Sequence, residues 1–438
     1  MKGNRINKIL CVFAALTIST AGFAQDGAYS AYSPYTIFGV GDLYHQGTAQ
    51  SKSMGGTGIA SRDRHYINYV NPAAVATRDT LSFMTDISLM SSNKILRQGS
   101  IKSANNILNI NNIVVSFPIY KKSAMLLGIS PFSNVGYQFT RYETNPELIA
   151  ETGAVRYSSY GDGSLYQLYA GYGGNITDRF SAGAQLLYLF GNIDKNTNLT
   201  LAGSSYRNMD MGYKLELHGI GGKFGLQYEH PFGDRKLTVG LTYRTPVALK
   251  GYVTDFTYAS VSGMVDTVKH VVDTLSLASK PSIAPEIGIG FSFRKPGKWS
   301  MEVNYLRSDW SSSRMDKVAG FANKGAATFT ATTSESIRAG FELIPNANDI
   351  RYYLKRCTYR GGAYYDKAYY RLDGNAVNAY GITFGMTLPV FRWHNGLSVG
   401  ADIGRRGSAR GAMVRETYAM FNIGFNIHDI WFVKRRYD

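Results

Sequence analysis

The sequence predicts an all-β protein: a transmembrane antiparallel β-barrel of about fourteen strands with an N-terminal plug in its lumen. Three observations predict this fold. The chain begins with a secretory signal, its remainder alternates between apolar and small or polar residues, and short and long connections follow one another in turn. These three features together are typical of barrels in the outer membrane of Gram-negative bacteria.

The N-terminus has the three parts of a secretory signal peptide. Basic residues at Lys2, Arg5 and Lys8 precede the apolar run Ile9 to Ile18. Small residues in Ala21-Gly22-Phe23-Ala24 then predict cleavage before Gln25, so that residues 1–24 are removed. A retained anchor is the alternative, but the run is shorter than the roughly 20 residues that a spanning helix needs. We therefore expect an exported protein.

Composition favours a membrane barrel over two soluble domains. The 438 residues include 47 glycines, 32 tyrosines and 22 phenylalanines. Aromatic residues form girdles at both membrane interfaces of such barrels. The formal charge of +16 comes from scattered basic residues, which indicates attraction to anionic lipid headgroups or lipopolysaccharide rather than nucleic acid. After loss of Cys11 with the signal, Cys357 has no intrachain disulfide partner.

Segments with a period of two recur from Thr80 onward. In one of them Leu237, Val239, Leu241 and Tyr243 are interleaved with Thr238, Gly240, Thr242 and Arg244. One apolar and one small or polar face is the pattern of a strand between lipid and a wet lumen. A soluble β-sandwich also alternates, but it seldom keeps strands this long with so much glycine on one face.

The connections give the strand count. Short ones, rich in turn residues, alternate with longer polar segments, and the one exception is the longer connection Ile344–Arg356 on the short side. This predicts both termini in the periplasm, the barrel over residues 80–426 and a basic periplasmic tail over residues 427–438. The strands are predicted to begin near Thr80, Ile110, Ser123, Ser164, Phe180, Asp210, Leu237, Ser282, Trp299, Ser334, Thr358, Asn378, Gly396 and Glu416.

Residues 25–79 do not alternate and form a separate segment ahead of the barrel. They contain Gly55-Gly56-Thr57-Gly58-Ile59-Ala60 and, about ten residues later, Asn71-Pro72-Ala73. The segment could tether the barrel to another molecule or fold back into the lumen. A barrel of about fourteen strands stays open unless something occupies it, so a plug is physically expected.

These two motifs resemble the N-terminal hatch of the FadL/TodX-type transporters of hydrophobic compounds, which are fourteen-stranded barrels. The resemblance implies passive uptake of a fatty-acid-like molecule, gated by a hatch that includes Gly55, Gly56, Gly58, Asn71, Pro72 and Ala73. It does not identify ligand-binding residues. The chain departs from the usual pattern of an aromatic C-terminus, because it continues past Phe425 to Lys434-Arg435-Arg436.

The expected partners are outer-membrane lipids, a hydrophobic small molecule and the barrel-assembly machinery during biogenesis. The alternative is a non-transporting accessory barrel of an envelope complex, like the FadL-fold subunits of the type IX secretion system. We expect no enzymatic activity, cofactor or metal, since the seven histidines are scattered and no nucleophile, base and acid form a recognisable set. The Gly55–Gly58 run has no Lys-Ser/Thr after it, which argues against a phosphate-binding loop.

Overall fold

The computed structural model describes residues 31–78, 82–120, 122–202, 207–261, 264–275, 281–322, 327–390, 395–409 and 413–430. The predicted signal peptide and the basic end of the predicted tail lie outside these residues, and both stay predictions. No helix among the described residues is long and apolar enough to cross a membrane.

Fourteen antiparallel strands close into one barrel, as the sequence predicts. The ring closes because the first strand pairs with the last, from Ser82 opposite Ile430 to Arg97 opposite Arg415. The fourteen wall strands are β2 (Ser82–Gln98), β3 (Ile101–Tyr120), β4 (Ser123–Tyr142), β5 (Val155–Asn175), β6 (Phe180–Leu201), β7 (Asn208–Phe232), β8 (Arg235–Arg244), β13 (Glu286–Lys295), β14 (Trp299–Asp309), β16 (Thr333–Leu343), β17 (Thr358–Leu372), β18 (Asn375–Pro389), β19 (Gly396–Arg406) and β20 (Arg415–Ile430).

Six shorter or accessory strands complete the sheets. They are β1 (Asp42–Leu43), β9 (Val247–Ala248), β10 (Lys250–Val261), β11 (Met264–Thr274), β12 (Ser282–Ile283) and β15 (Phe329–Ala331). The helical segments are short: Pro34–Ile37 and Pro72–Thr77 are 3-10 helices, and Ala49–Ser53, Pro146–Thr152 and Tyr353–Arg356 are α-helical.

The two faces of the wall differ as the alternation predicts. On β8 the Leu241 side chain is 44% exposed on the outer face, whereas Thr242 is 5% exposed on the inner face. The outer residues form an apolar band of exposed leucine, isoleucine, phenylalanine and tyrosine side chains. In a membrane this band contacts lipid. We name the two rims by the connections that they carry: the turn end carries the connection between β3 and β4, and the loop end, on the opposite side, carries the connections between β4 and β5 and between β8 and β13.

Several predicted boundaries were wrong because the strands run farther toward the loop end. β3 begins at Ile101 instead of Ile110, and β5 begins at Val155 instead of Ser164. These extensions carry polar residues on both faces and therefore lack the alternation that predicts a strand. The reason is that a strand that leaves the membrane contacts water on each side. The sequence predicts no strand between those that begin near Leu237 and Ser282 and belong to the wall, but β10 and β11 form a hairpin there that extends the edge of β7.

The end of the barrel was also misplaced. β20 reaches Ile430, four residues beyond the predicted boundary at 426, because its pairing with β2 continues to Ser82. Residues 427–430 therefore belong to the wall and not to the tail. At the turn end, the connection between β16 and β17 is the longest, and it contains the helix Tyr353–Arg356.

Candidate functional site: the N-terminal segment and the barrel lumen

The segment 31–78 lies inside the ring, against the inner faces of strands around the whole barrel. Wall glycines mark the closest approaches. A Cβ atom at Gly240 would lie 2.1 Å from the Ile59 carbonyl oxygen, and one at Gly183 would lie 2.4 Å from the Pro72 carbonyl oxygen. Only glycine lets two backbones come this near. The glycine-rich inner faces seen in the sequence are thus the surface on which this segment lies.

The first motif forms a tight turn against the wall. Gly55 and Gly56 have φ angles of 69° and 79°, in the left-handed region that favours glycine. The Gly55 N–H donates to Thr383 Oγ1 at 2.8 Å. The His45 ring nitrogen Nε2 lies 2.7 Å from the Gly56 carbonyl oxygen. Burial, helped by the nearby Arg338 charge, lowers the pKa of His45 well below its usual value, so the ring is neutral and donates this bond.

Glu302 of β14 is the residue that holds the end of this turn. Its Oε1 accepts hydrogen bonds from the backbone N–H groups of Gly58 and Ala60, both at 2.9 Å, and its side chain is buried. Sequence reasoning missed this residue. The alternation along the strand could have identified it. Glu302 is a charged residue on the lumen face of a predicted strand, between Met301 and Val303 on the lipid face.

The second motif is joined to the first by Asn71. Its Oδ1 accepts from the Ala73 N–H at 3.0 Å and begins the 3-10 helix Pro72–Thr77, while its Nδ2 donates to the Ile59 carbonyl at 2.7 Å. All six residues predicted for the hatch are buried, but they lie on different parts of the wall, since Gly55 packs against β16 and β17 whereas Pro72 packs against β5, β6 and β7. Pro72 has no N–H to satisfy at the first helical position, which suits it to this place.

Two arginines of the wall, one on β16 and one near the turn end of β17, complete the attachment of the segment. Arg338 donates to the Gly55 carbonyl at 2.9 Å and forms an ion pair with Asp366 at 2.7 Å. Arg360 forms an ion pair with Glu342 at 2.8 Å, and its guanidinium lies over the ring of Tyr66. Charges that are buried in a barrel lumen need such partners. Neither arginine was predicted from the sequence.

The segment also takes part in a hydrophobic core at the loop end. Tyr35, Ile37 and Phe38 are buried with Trp310 and Phe321 from the connection between β14 and β16. The rings of Phe38 and Phe329 stack at a centroid distance of 5.5 Å. This core fuses the segment, the wall and the folded connection at the loop end into one body.

An ion pair joins β1 to the wall beside this core. Arg406 lies 2.6 Å from Asp42, and Lys94 lies 3.7 Å from the same carboxylate. Burial by itself raises the pKa of Asp42, but the charges of Arg406 and Lys94 outweigh it and lower the pKa below its ordinary value. Asp42 is therefore charged at neutral pH.

A cavity of about 380 Å³ remains between the segment and the wall. Its lining includes the apolar side chains of Leu43 and Leu187 but also charged groups, among them Lys52, Lys223 and Asp402. The Lys52 ammonium lies 3.9 Å from the centroid of the Tyr44 ring, a cation–π contact. The cavity is therefore amphipathic.

The wall beside this cavity is incompletely paired. The β3–β4 ladder runs only from Ile113 opposite Ile129 to Tyr120 opposite Ser123, although both strands continue toward the loop end. There β1 pairs with β4 instead, at Ser133 and Asn134. Asn109 of β3 and Asn134 of β4 both line the cavity, which therefore reaches the place where the two strands diverge.

Among the residues that the structure describes, no group of three or more His, Cys, Asp and Glu side chains is placed to hold a metal ion.

Comparisons with known proteins agree with the fold. A protein-family model with the description BamG matches residues 5–438. The toluene transporter TbuX of Ralstonia pickettii superimposes with a TM-score of 0.59 at 15% identity, over 87% of this chain and 98% of TbuX. The toluene transporter TodX of Pseudomonas putida gives 0.56 at 12% identity, over 90% and 99% of the two chains. A FadL homologue of Pseudomonas aeruginosa gives a TM-score of 0.56 at 11% identity, over 89% of this chain and 99% of the homologue.

No curated protein sequence is significantly similar to this chain. The FadL-type barrel fold expected from the sequence is confirmed.

Proposed function

Because the chain belongs to the BamG family, we propose that it is a non-transporting accessory barrel of the Bam machinery. In this role it lies in the outer membrane with its N-terminal segment held inside the barrel, and it contacts other proteins of the envelope. It is exported with a signal peptide that is cleaved before Gln25, and it has no enzymatic role. The family name, which points to the Bam machinery, supports the choice of complex.

The observation that carries this proposal is the fusion of the N-terminal segment with the barrel. Phe38, Trp310 and Phe321 share one buried core at the loop end, and Glu302 and Arg338 hold the backbone of the segment. Moving the segment would expose apolar side chains and leave buried polar groups without partners, at a cost of about 1–3 kcal/mol for each such group. A lumen filled in this way favours a scaffold over a conduit.

The test begins with the native complex. An affinity tag placed between Val261 and Met264, in the hairpin of β10 and β11, leaves the wall strands intact. After mild solubilisation of the outer membrane, components of the Bam machinery should co-purify with the tagged protein. Depletion of the protein should lower the amounts of other outer-membrane barrels. Purification of the chain alone, together with unchanged amounts of other barrels after depletion, would contradict the proposal.

A second candidate is passive uptake of hydrophobic small molecules, gated by the hatch residues Gly55, Gly56, Gly58, Asn71, Pro72 and Ala73. The observation that favours it is the cavity that reaches the divergence of β3 and β4, since a solute could leave there into the membrane. The described transport of toluene by TbuX and TodX agrees with it. The charged lining is unfavourable for an apolar solute, which would leave these groups poorly solvated.

Uptake measurements distinguish the two candidates. Cells that lack the protein should take up radiolabelled toluene and long-chain fatty acids at the wild-type rate if the barrel is accessory. A severalfold slower uptake, with normal amounts of other barrels, would favour the transporter. The two measurements on one deletion strain therefore decide between the functions.

A further inference from the structure

The long connection at the turn end forms a compact, ordered patch on the outer face of the wall. We name residues Ile350–Arg356 the rim patch. All of its side chains are exposed, with Ile350 at 98% and Leu354 at 63%. Asp349 orders the turn before the helix, because its Oδ1 accepts from the N–H groups of Arg351 at 2.9 Å and Tyr352 at 2.7 Å.

The rim patch lies on the lipid-facing side of β17. Cys357 has the same parity as Tyr359 and Tyr365, which point outward, yet Cys357 is fully buried. It is covered by the helix Tyr353–Arg356, since its Sγ donates to the Tyr353 carbonyl at 3.6 Å. The outward-facing Tyr359 hydroxyl also donates to the Leu354 carbonyl at 3.0 Å. The helix therefore rests against the outside of the barrel, next to the apolar band.

The chemistry of the rim patch is that of a membrane interface. It carries the basic side chains of Arg351, Lys355 and Arg356 and the aromatic side chains of Tyr352 and Tyr353. The Lys355 ammonium lies 4.6 Å from the Tyr352 ring centroid, and Arg356 lies over Tyr353 at 5.1 Å. The single neighbouring acid, Asp349, is paired with Lys355 at 3.7 Å. Tyrosine rings next to lysine and arginine side chains are characteristic of the zone where lipid tails meet headgroups.

We propose that the rim patch binds the phosphate headgroups of anionic phospholipids at the turn-end face of the membrane. Its apolar side chains continue the lipid-facing wall, and its three cations lie beside the headgroups. Each basic side chain near an anionic membrane surface strengthens binding by a factor of about five. The ordering of the turn by Asp349 lowers the entropy lost on binding. The patch gives the barrel a preferred lipid composition around β16–β18.

The test measures the lipid selectivity of the full-length protein. Purified protein in mixed micelles receives equal amounts of phosphatidylglycerol and phosphatidylcholine, and native mass spectrometry gives the ratio of the two lipids retained. The patch variant combines Arg351→Glu, Lys355→Glu and Arg356→Glu. The control variant combines Lys102→Glu, Arg141→Glu and Lys269→Glu, which are exposed basic residues near the loop end. The two variants change the net charge equally.

We expect the wild type to retain phosphatidylglycerol preferentially. The patch variant should lower the ratio by about tenfold or more, and the control variant by less than twofold. An unchanged ratio in the patch variant, or an equal fall in both variants, would overturn the proposal. The single variants Arg351→Glu and Arg356→Glu, each expected to lower the ratio severalfold, keep the test decisive if the triple variant does not fold. Heat-dependent gel mobility checks the fold of each variant.

Two further measurements distinguish binding of lipid from binding of free phosphate or of a protein partner. Millimolar inorganic phosphate should leave the ratio unchanged, because it lacks the apolar part that the patch contacts; competition by phosphate would overturn the assignment to lipid. A periplasmic protein that binds the wild type and not the patch variant, while the lipid ratio stays the same, would assign the patch to a protein partner and overturn the proposal as well. The conservative variant Arg351→Lys with Arg356→Lys should keep the selectivity.

Discussion

At the scale of single residues, Glu302 holds the backbone of the N-terminal segment at two N–H groups. Replacing it with leucine leaves the buried N–H groups of Gly58 and Ala60 without an acceptor, at about 1–3 kcal/mol for each. We expect Glu302→Leu to raise the ion conductance of single barrels in planar bilayers and to expose the segment to added protease.

The matched variant is Glu302→Gln, which keeps an oxygen where the two N–H groups point. Its conductance should stay near the wild-type value. Equal conductance of the leucine variant and the wild type would mean that Glu302 does not hold the segment in place.

Asp42 gives the attachment of β1 a pH dependence. Because the pKa of Asp42 is lowered in the folded protein, its ion pairs stabilise the attachment above the ordinary pKa of about 4. This contribution falls as the pH drops below that value toward the folded-state pKa. We expect conductance to rise on acidification through this range, and Asp42→Asn to show raised conductance already at pH 7 with a weaker further change.

The control for this prediction is Asp255→Asn, which removes another acid from the loop end. Asp255 pairs with Lys269 on the hairpin of β10 and β11 and not with the segment. Its pH profile should match the wild type. Identical profiles for all three proteins would show that the ion pair of Asp42 does not secure β1.

At the scale of a strand, β16 offers a test of which face meets lipid. Ile337 is 52% exposed on the outer face, whereas Ser334 lines the cavity inside. Ile337→Arg places a charge against lipid and should destabilise the barrel by about 2–4 kcal/mol if it lies near the midplane. Ser334→Arg places the charge in the amphipathic cavity, which contains polar partners, and should cost far less. Urea unfolding in vesicles measures both, and similar losses would contradict the assigned faces.

Residues 55–73 of the N-terminal segment should not be required for assembly of the wall. The wall closes its own hydrogen-bond ladder from β2 to β20, so a chain without residues 55–73 should still assemble. We expect this deletion to raise the conductance for small ions greatly, because the inner face carries many small side chains that cannot fill the lumen. An assembled deletion variant with wild-type conductance would mean that the loop-end connections alone close the barrel.

At the scale of the whole molecule, the even number of strands, with both chain termini in the periplasm, predicts the orientation in the membrane. Epitope tags between Val261 and Met264 should be accessible to antibody on intact cells, because long connections of outer-membrane barrels face outward. Tags within residues 176–179, at the turn end, should become accessible only after the cells are opened. Labelling of both sites on intact cells would contradict this orientation.

The fold class, the number of strands and the faces on which Leu241 and Thr242 lie could all be predicted from the sequence. These features follow from a local period of two and from local turn residues, which any stretch of the chain displays on its own. The extensions of β3 and β5 could not be predicted, since a strand with water on both faces loses that period. The hatch motifs were visible because Gly55, Gly56 and Pro72 have backbone requirements that limit the residue type.

The contacts that hold the N-terminal segment inside the barrel depend on the tertiary structure. The partners of the segment, such as Glu302 with Gly58 and Arg338 with Gly55, are separated by more than two hundred residues and meet because the barrel closes around them. The same holds for the core of Phe38 and Phe321 and for the divergence of β3 from β4 beside the cavity. Such contacts depend on the register of fourteen strands at once, which no local pattern contains.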